Sequence, residues 1–579
     1  MKRRTFVTGV IASSLLALTH KTVEASSSAK SFSKEPTLSG TVFHLSIDYM
    51  PVNITGKERI ATTVNQQLSG PTLIWQEGDT ITLHVTNRLK KSSSIHWHGI
   101  ILPTQMDGVP GLSFDGIAPG ETFTYRFKVR QHGTYWYHSH SGFQEQTGVY
   151  GAIVIKPRHK EPFRVDDEYV IQLSDCSDER PNTIYKKLKQ MSDYYNFSQR
   201  TLFTFIDEIK SKGLKKAFGD RSMWNTMRMS DRDISDVTGY TYTYLMNGST
   251  HTKPFTALFK KGQKIRLRLV NASAMTFFDV RIPGLKMTVV AADGNHVKPV
   301  RVDELRIGVA ETYDVIVQPK KNKAYAIFAQ NIERSGYALG ILTPSRRLLP
   351  KVPKLDPKAQ LTMADMGMDM QKMTKQSSAS MKCSSGMKMP DKKAMKKYTF
   401  AAMEAQHYPI TKLPMAKGLQ STMMAMHPKY RLDDPGVGLR HNGRRVLTYA
   451  DLKNRYSTKH APKPHREIIL HLTGNMERYM WSINGIKYAD AKPLHFHYGE
   501  RLRITFINDT MMNHPMHLHG MWSDLETGDD NHLVKKHTII VQPGSKISYR
   551  VTVDAKGVWA YHCHLLYHMS GMFRKVIVS

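Results

Sequence analysis

The sequence predicts an all-β chain of three consecutive β-sandwich domains, and two internal repeats carry that prediction. In the first repeat a Gly is followed by apolar residues at alternate positions and, nine residues on, by an Asn. The copies are Gly78–Asn87 (Ile81, Leu83, Val85), Gly262–Asn271 (Ile265, Leu267, Leu269) and Gly499–Asn508 (Leu502, Ile504, Phe506). Alternation with period two marks a half-buried strand, with Gly and Asn as its punctuation. Copies 184 and 237 residues apart give one such strand to each of three related domains, each a small sandwich of antiparallel strands. The second repeat joins the outer copies alone. Pro119-Gly120, Tyr125-Arg126, Gly133 and His138-Ser139-His140 recur at identical offsets as Pro543-Gly544, Tyr549-Arg550, Gly557 and His562-Cys563-His564. Domains are expected over residues 38–160, 165–345 and 431–579.

Taken in order, the chain opens on Met1-Lys2-Arg3-Arg4-Thr5-Phe6-Val7, paired arginines before an apolar run that ends near Leu18. With Val23-Glu24-Ala25 as a small-residue cleavage site, residues 1–25 resemble a twin-arginine export signal, which implies a periplasmic protein. Nothing after residue 20 approaches the ~18 unbroken apolar residues of a membrane span, so no stable membrane insertion is expected. The net charge of +33 is spread along the chain, which argues against nucleic acid and for a basic surface among anionic envelope components. Cys176, Cys383 and Cys563 are too few for a disulfide framework. Residues 184–230 interrupt the strand pattern of the second domain. Leu202, Phe205, Ile206 and Ile209 keep helical spacing, which predicts a helical insertion packed on that domain, with no chemistry assigned to it. Residues 350–430 read as a linker without strand pattern. Fourteen of the 32 methionines lie between Met363 and Met426, in runs such as Met366-Gly367-Met368-Asp369-Met370 and Met387-Lys388-Met389. Thioethers are soft ligands suited to Cu(I), and a further Cu(I) site is expected in this segment.

The chemistry lies in four His-x-His pairs. His96-Trp97-His98-Gly99 begins nine residues beyond Asn87, and His517-Leu518-His519-Gly520 nine beyond Asn508. The middle domain has Val280 at that place and no histidine, so no metal ligands are expected from it. The remaining pairs are His138/His140 and His562/His564. Residues i and i+2 of a strand share a face about 6.6 Å apart, so each pair offers two imidazoles to one pocket. Eight imidazoles are too many for one closed tetrahedral zinc. Cys563 decides the metal. It faces the opposite side of its strand, where His514 and His568 can join it with Met572 as a weak axial ligand, the ligand set of a blue-copper electron-transfer site. Ser139 stands at the equivalent place in the first domain, so the last domain alone should carry that site.

These motifs resemble the four copper-binding motifs of the multicopper oxidases. The resemblance implies cupredoxin-like domains and four coppers: type 2 at His96 and His517, a type 3 pair at His98, His138, His140, His519, His562 and His564, and type 1 at His514, Cys563, His568 and Met572. It also implies the reaction, oxidation of Cu(I) or a phenol one electron at a time at type 1 and four-electron reduction of O2 to water at the cluster. Asp107, in Met106-Asp107-Gly108-Val109-Pro110-Gly111, matches an acid that supplies protons to the cluster, and Asp107 and Cys563 are the catalytic candidates. One departure stands out. Met572 follows His568 by four residues where the family usually steps five, which leaves Met569, or no axial ligand, as the alternatives. A copper-sequestering protein with little turnover is the rival function. Storage needs no electron path, and Cys563 between two histidines supplies one. A periplasmic copper chaperone is a candidate partner.

Overall fold

The computed structural model describes residues 36–368 and 400–579. The export segment, Cys383 and the methionines from Met370 to Met395 lie outside the described residues.

Each repeat copy is a strand, Thr80–Asn87, Ile265–Asn271 and Arg501–Asn508. The repeated glycines turn the chain into it with φ of +87°, +88° and +85°, a region open to Gly without cost. The repeated Asn closes it the same way three times. Its Nδ2 donates to two carbonyls, Lys91 and Ile117 for Asn87, Thr276 and Ile307 for Asn271, Met512 and Val541 for Asn508. Its Oδ1 accepts the backbone N–H two residues on, at Leu89, Ser273 and Thr510. All three side chains are buried, so each satisfies the turn that carries the chain from one sheet toward the other.

Around these strands stand three two-sheet sandwiches. The first has sheets of four and five strands, the second of six and five, the third of eight and five. Alternate inward residues fill the cores, for example Ile81, Leu83 and Val85 in the first domain. A single larger core runs through the second and third domains. In both outer domains the five-stranded sheet holds the site-bearing strands. His96–His98 pairs antiparallel with Gly133–His138, setting His96 opposite His138. His514–Leu518 pairs with Gly557–Cys563, setting His517 opposite His562 and Met516 opposite Cys563.

Two expectations need correction. Helices form at Pro181–Gln190, Leu202–Lys212 and Leu214–Thr226, but the apolar face of the middle one does not pack on the second domain. Leu202 is 71 % exposed and Ile206 41 %, because burial in the insertion falls instead to Ile184, Leu188, Ala217 and Trp224. The insertion also reaches the third domain, where Lys189 Nζ donates to the Tyr479 carbonyl. The stretch 350–430 is no free linker at its two ends. Ile410–Thr411 and Lys429–Tyr430 add parallel strands to the third domain, and Met366 and Met403 are buried in the core. Short strands of two residues leave no alternation to read. Among the described residues no helix is long and apolar enough to cross a membrane.

Candidate copper centres

The eight paired histidines meet where the first and third domains face each other. Seven are buried and His140 is half-buried. They sort into triads whose ligand atoms lie within 4.8 Å of one another; His96, His138 and His140 form one within the first domain, and the others named here draw on both domains. His98 and His138 join His564, while His140 joins His519 and His562. Across the join, His519 Nε2 lies 3.0 Å from His562 Nε2, and His138 Nε2 3.3 Å from His564 Nε2. His96 and His517 complete the group, their rings 5.7 Å apart.

The surrounding acceptors fix the tautomers. His96 Nδ1 donates to the Asp107 carbonyl at 2.7 Å and His517 Nδ1 to the His537 carbonyl at 2.5 Å. His562 Nδ1 does the same to the Cys563 carbonyl at 3.1 Å. His519 Nδ1 lies 2.8 Å from Asp107 Oδ2, and His138 Nδ1 2.9 Å from Glu145 Oε2. With the proton on Nδ1, the lone pair of Nε2 faces the centre. Burial, reinforced by neighbouring imidazoles, holds His98, His138, His140, His517, His519 and His564 well below the ordinary histidine range. His562 is lowered to about 4, again mainly by burial. These rings are neutral at pH 7, as metal ligands must be.

The second group lies on the other face of the same strand. Cys563 Sγ is 3.5 Å from His514 Nδ1 and 3.9 Å from His568 Nδ1, and the two nitrogens are 3.3 Å apart. Their far nitrogens are held: Thr510 Oγ1 is 2.7 Å from His514 Nε2, and Asp236 Oδ2 is 2.6 Å from His568 Nε2. Trp481 stacks on His568 at 3.8 Å. Met572 is fully buried and Met569 partly exposed. Burial pushes the Cys563 thiol far up, so a bound cation is what would make it a thiolate. Where the outer domains carry these histidines, the middle domain has the strand Phe278–Arg281. There Asp279 is buried in ion pairs with Arg306 (2.7 Å) and Arg334 (2.6 Å).

Models described as multicopper oxidase match residues 46–160, 211–346 and 461–579. The chain belongs to the multicopper oxidase family. It is 54 % identical to copper resistance protein A of Escherichia coli, over 100 % of this chain and 99 % of that one. It is 52 % identical to a copper resistance protein A homolog of Pseudomonas syringae pv. tomato, with the same coverage. Among solved structures, Fet3p, described as a multicopper oxidase that functions in iron import, aligns with a TM-score of 0.62 over 94 % of this chain and 91 % of that one. At 18 % identity that likeness shows the three-domain cupredoxin-like fold alone.

The buried polar atoms of the cluster fit the copper that the family implies. His96 Nε2, His98 Nε2, His140 Nε2 and His517 Nε2 are buried with no hydrogen-bond partner among the described residues. A folded chain rarely leaves such groups orphaned without an ion to take them. The surroundings of the ligand atoms were largely invisible in the sequence. Glu145 and Asp236 are buried acids against His138 and His568, and His537 is a further buried imidazole, its ring 4.7 Å from that of His98. Asp236 is raised to about 7, mainly by burial. Its one trace in the sequence is the run Asp231-Arg232-Asp233-Ile234-Ser235-Asp236 after the helical insertion.

Proposed function

We propose that this multicopper oxidase is a periplasmic cuprous oxidase, reached by the twin-arginine route, that protects the cell from copper. His96 and His517 would hold the type 2 ion; His98, His138 and His564, and His140, His519 and His562, the type 3 pair. His514, Cys563, His568 and Met572 would hold type 1. When bound, these ions supply one-electron oxidation of the substrate at type 1 and four-electron reduction of O2 to water at the cluster. The protein's own contribution is geometric. Cys563 lies between His562 and His564 in sequence, so a few covalent bonds join the electron-accepting site to the cluster. Asp107, with its carboxylate on His519 and its carbonyl on His96, sits where protons are consumed and can pass them in.

The observation that favours Cu(I) over phenols is the burial of the electron entry. His514 and His568 are both 0 % exposed, with Trp481 and Asp236 packed over His568. A bulky phenol cannot touch either imidazole. This cover comes from Trp481 and from Asp236 in the chain after the helical insertion. The methionine-rich segment, with a periplasmic chaperone, is proposed to gather Cu(I). O2 uptake by copper-loaded protein given Cu(I) or a phenol, side by side, tests the reading. Fast uptake with the phenol and none with Cu(I) would overturn it, and none with either would favour sequestration.

A further inference from the structure

The helical insertion leaves apolar side chains uncovered on two of its helices. Leu202–Lys212 and Leu214–Thr226 fold back on each other about Gly213, whose φ of +80° makes the turn. Arg221 of the second helix clamps the first, donating to Glu208 at 2.8 Å, to Thr204 Oγ1 at 2.9 Å and to the Thr201 carbonyl at 3.2 Å. Trp224 fastens the pair to the core. Leu202 and Ile206 are four residues apart with Phe203 beside them, and Leu214 and Phe218 repeat the four-residue step on the second helix, so each helix carries an apolar row. These rows stand in solvent: Phe203 is 78 % exposed, Phe218 66 % and Leu214 63 %. Exposed apolar side chains gathered in this way and rimmed by charge mark a surface of contact with another body.

The charge at the turn of the hairpin says which body. Lys210, Lys212, Lys215 and Lys216 all fall within seven residues of chain. Lys212 lies 3.8 Å from Asp220, but Lys210, Lys215 and Lys216 are exposed and without an ion pair among the described residues. Asp207 is the one exposed acid of the two helices, since Glu208 is taken by Arg221 and Asp220 is half-buried. A second copy of this face would set like charges against each other. An anionic bilayer accepts both features at once: headgroup phosphates meet the lysines while phenylalanine and leucine side chains enter the acyl boundary. Helices of 11 and 13 residues are too short to cross a membrane and suit one that lies in its surface. We propose that this hairpin docks the protein reversibly on the anionic face of a phospholipid bilayer. The net charge of +33 draws the whole chain toward such a surface, and the hairpin decides which side lands on it.

The test is flotation of the full-length, copper-loaded protein with vesicles of phosphatidylcholine and phosphatidylglycerol in equal parts, against vesicles of phosphatidylcholine alone. Flotation is expected with the mixed vesicles only and weakens as salt is raised. Each lysine near an anionic surface is worth about fivefold in affinity, so Lys210→Gln/Lys215→Gln/Lys216→Gln should bind about a hundredfold more weakly. Phe203→Ser/Phe218→Ser should lose flotation while keeping the copper content and visible spectrum of the wild type, because both side chains are in solvent. If that double variant does not fold, either single serine variant should weaken flotation on its own. No flotation of the wild type would overturn the proposal. Flotation that both multiple variants leave unchanged would overturn it too, and trace binding to the general positive charge. A wild-type dimer in gel filtration that the phenylalanine variant turns into a monomer would assign the face to a second copy instead.

Discussion

Gln144 holds in the first domain the place that His568 holds in the third. Counted from the equivalent residues Ser139 and Cys563, each lies five positions on; Ser93 matches His514, each lying three positions before the equivalent residues His96 and His517. The three polar residues still converge: Ser93 Oγ donates to Gln144 Oε1 at 2.6 Å and Ser139 Oγ to the same oxygen at 2.9 Å. At the place equivalent to His514, Cys563 and His568, the first domain has a hydrogen-bonded triad. Gly148 takes the place of Met572, and a side chain there would press on the Thr62 carbonyl at 2.6 Å.

That equivalence predicts a transplant. Cys563→Ser should abolish the strong visible thiolate-to-copper absorption and the oxidase activity while leaving cluster copper bound. Adding Ser93→His, Ser139→Cys and Gln144→His to that variant should restore a visible band, altered in shape because Gly148 offers no axial sulfur. Absorption spectra and copper counts on both proteins check it. A colourless transplant that still folds would show that the shared pocket is not a ligand cage.

Asp107→Asn should separate the two half-reactions. The amide preserves shape but removes the charge against His519 Nδ1, 2.8 Å away, and cannot relay a proton as a carboxylate does. General acid–base help is worth about 10²–10⁴ in rate. Stopped-flow reoxidation by O2 should slow by that order, with reduction of the blue site unchanged. Equal reoxidation rates would leave Asp107 with a purely positioning part.

The repeats made most of this legible. A strand with period two and a His-x-His on one face can be read from spacing alone, which is why Asn87, Asn508 and the paired histidines all stand at the expected places. Asp236, Glu145 and His537 could not be read that way. Asp236 and His537 meet theirs across a domain boundary, and long-range packing leaves no period in the sequence; Glu145 reaches His138 from the short helix Gln144–Thr147 of the same domain, which has no counterpart in the repeat. The insertion misled for the opposite reason. Leu202, Phe205, Ile206 and Ile209 have true helical spacing, but spacing reports a face and not what covers it. Leu202 and Ile206 are left in solvent while Trp224 takes the core.

The depressed histidines give a pH dependence with a definite sign. His537 and His562 are lowered to about 4 in the folded chain against about 6.5 unfolded, mainly by burial. Between those values the unfolded chain binds more protons, so stability rises with pH and is lost as pH falls. The metal-free protein should therefore melt at progressively lower temperature below about pH 6.5, with the steepest loss ending near pH 4. Calorimetry of metal-free protein from pH 8 to about 4 tests this. A melting temperature flat across that range would mean that the cluster is not closed to water.

The methionines between 363 and 426 fall into two groups, and the grouping predicts two opposite outcomes. Met366 and Met403 are each 2 % exposed and pack in the shared core of the second and third domains. Met366→Ala should cost stability, on the order of 2–5 kcal/mol for a buried methionine, and should not change Cu(I) binding. Met370, Met373, Met381, Met387, Met389 and Met395, outside the described residues, are interspersed in the sequence with Lys, Ser and Gln. Replacing these six with leucine removes the soft donors while keeping the hydrocarbon bulk. The variant should melt like the wild type and retain four coppers, yet bind less Cu(I) beyond those four. Its Cu(I) turnover should fall at low copper concentration and recover as copper is raised, because collection rather than electron transfer has been weakened. Competition with a Cu(I) chelator measures the binding, and O2 uptake across copper concentration measures the turnover. Unchanged Cu(I) binding in the six-fold variant would reduce the segment to a connection between domains.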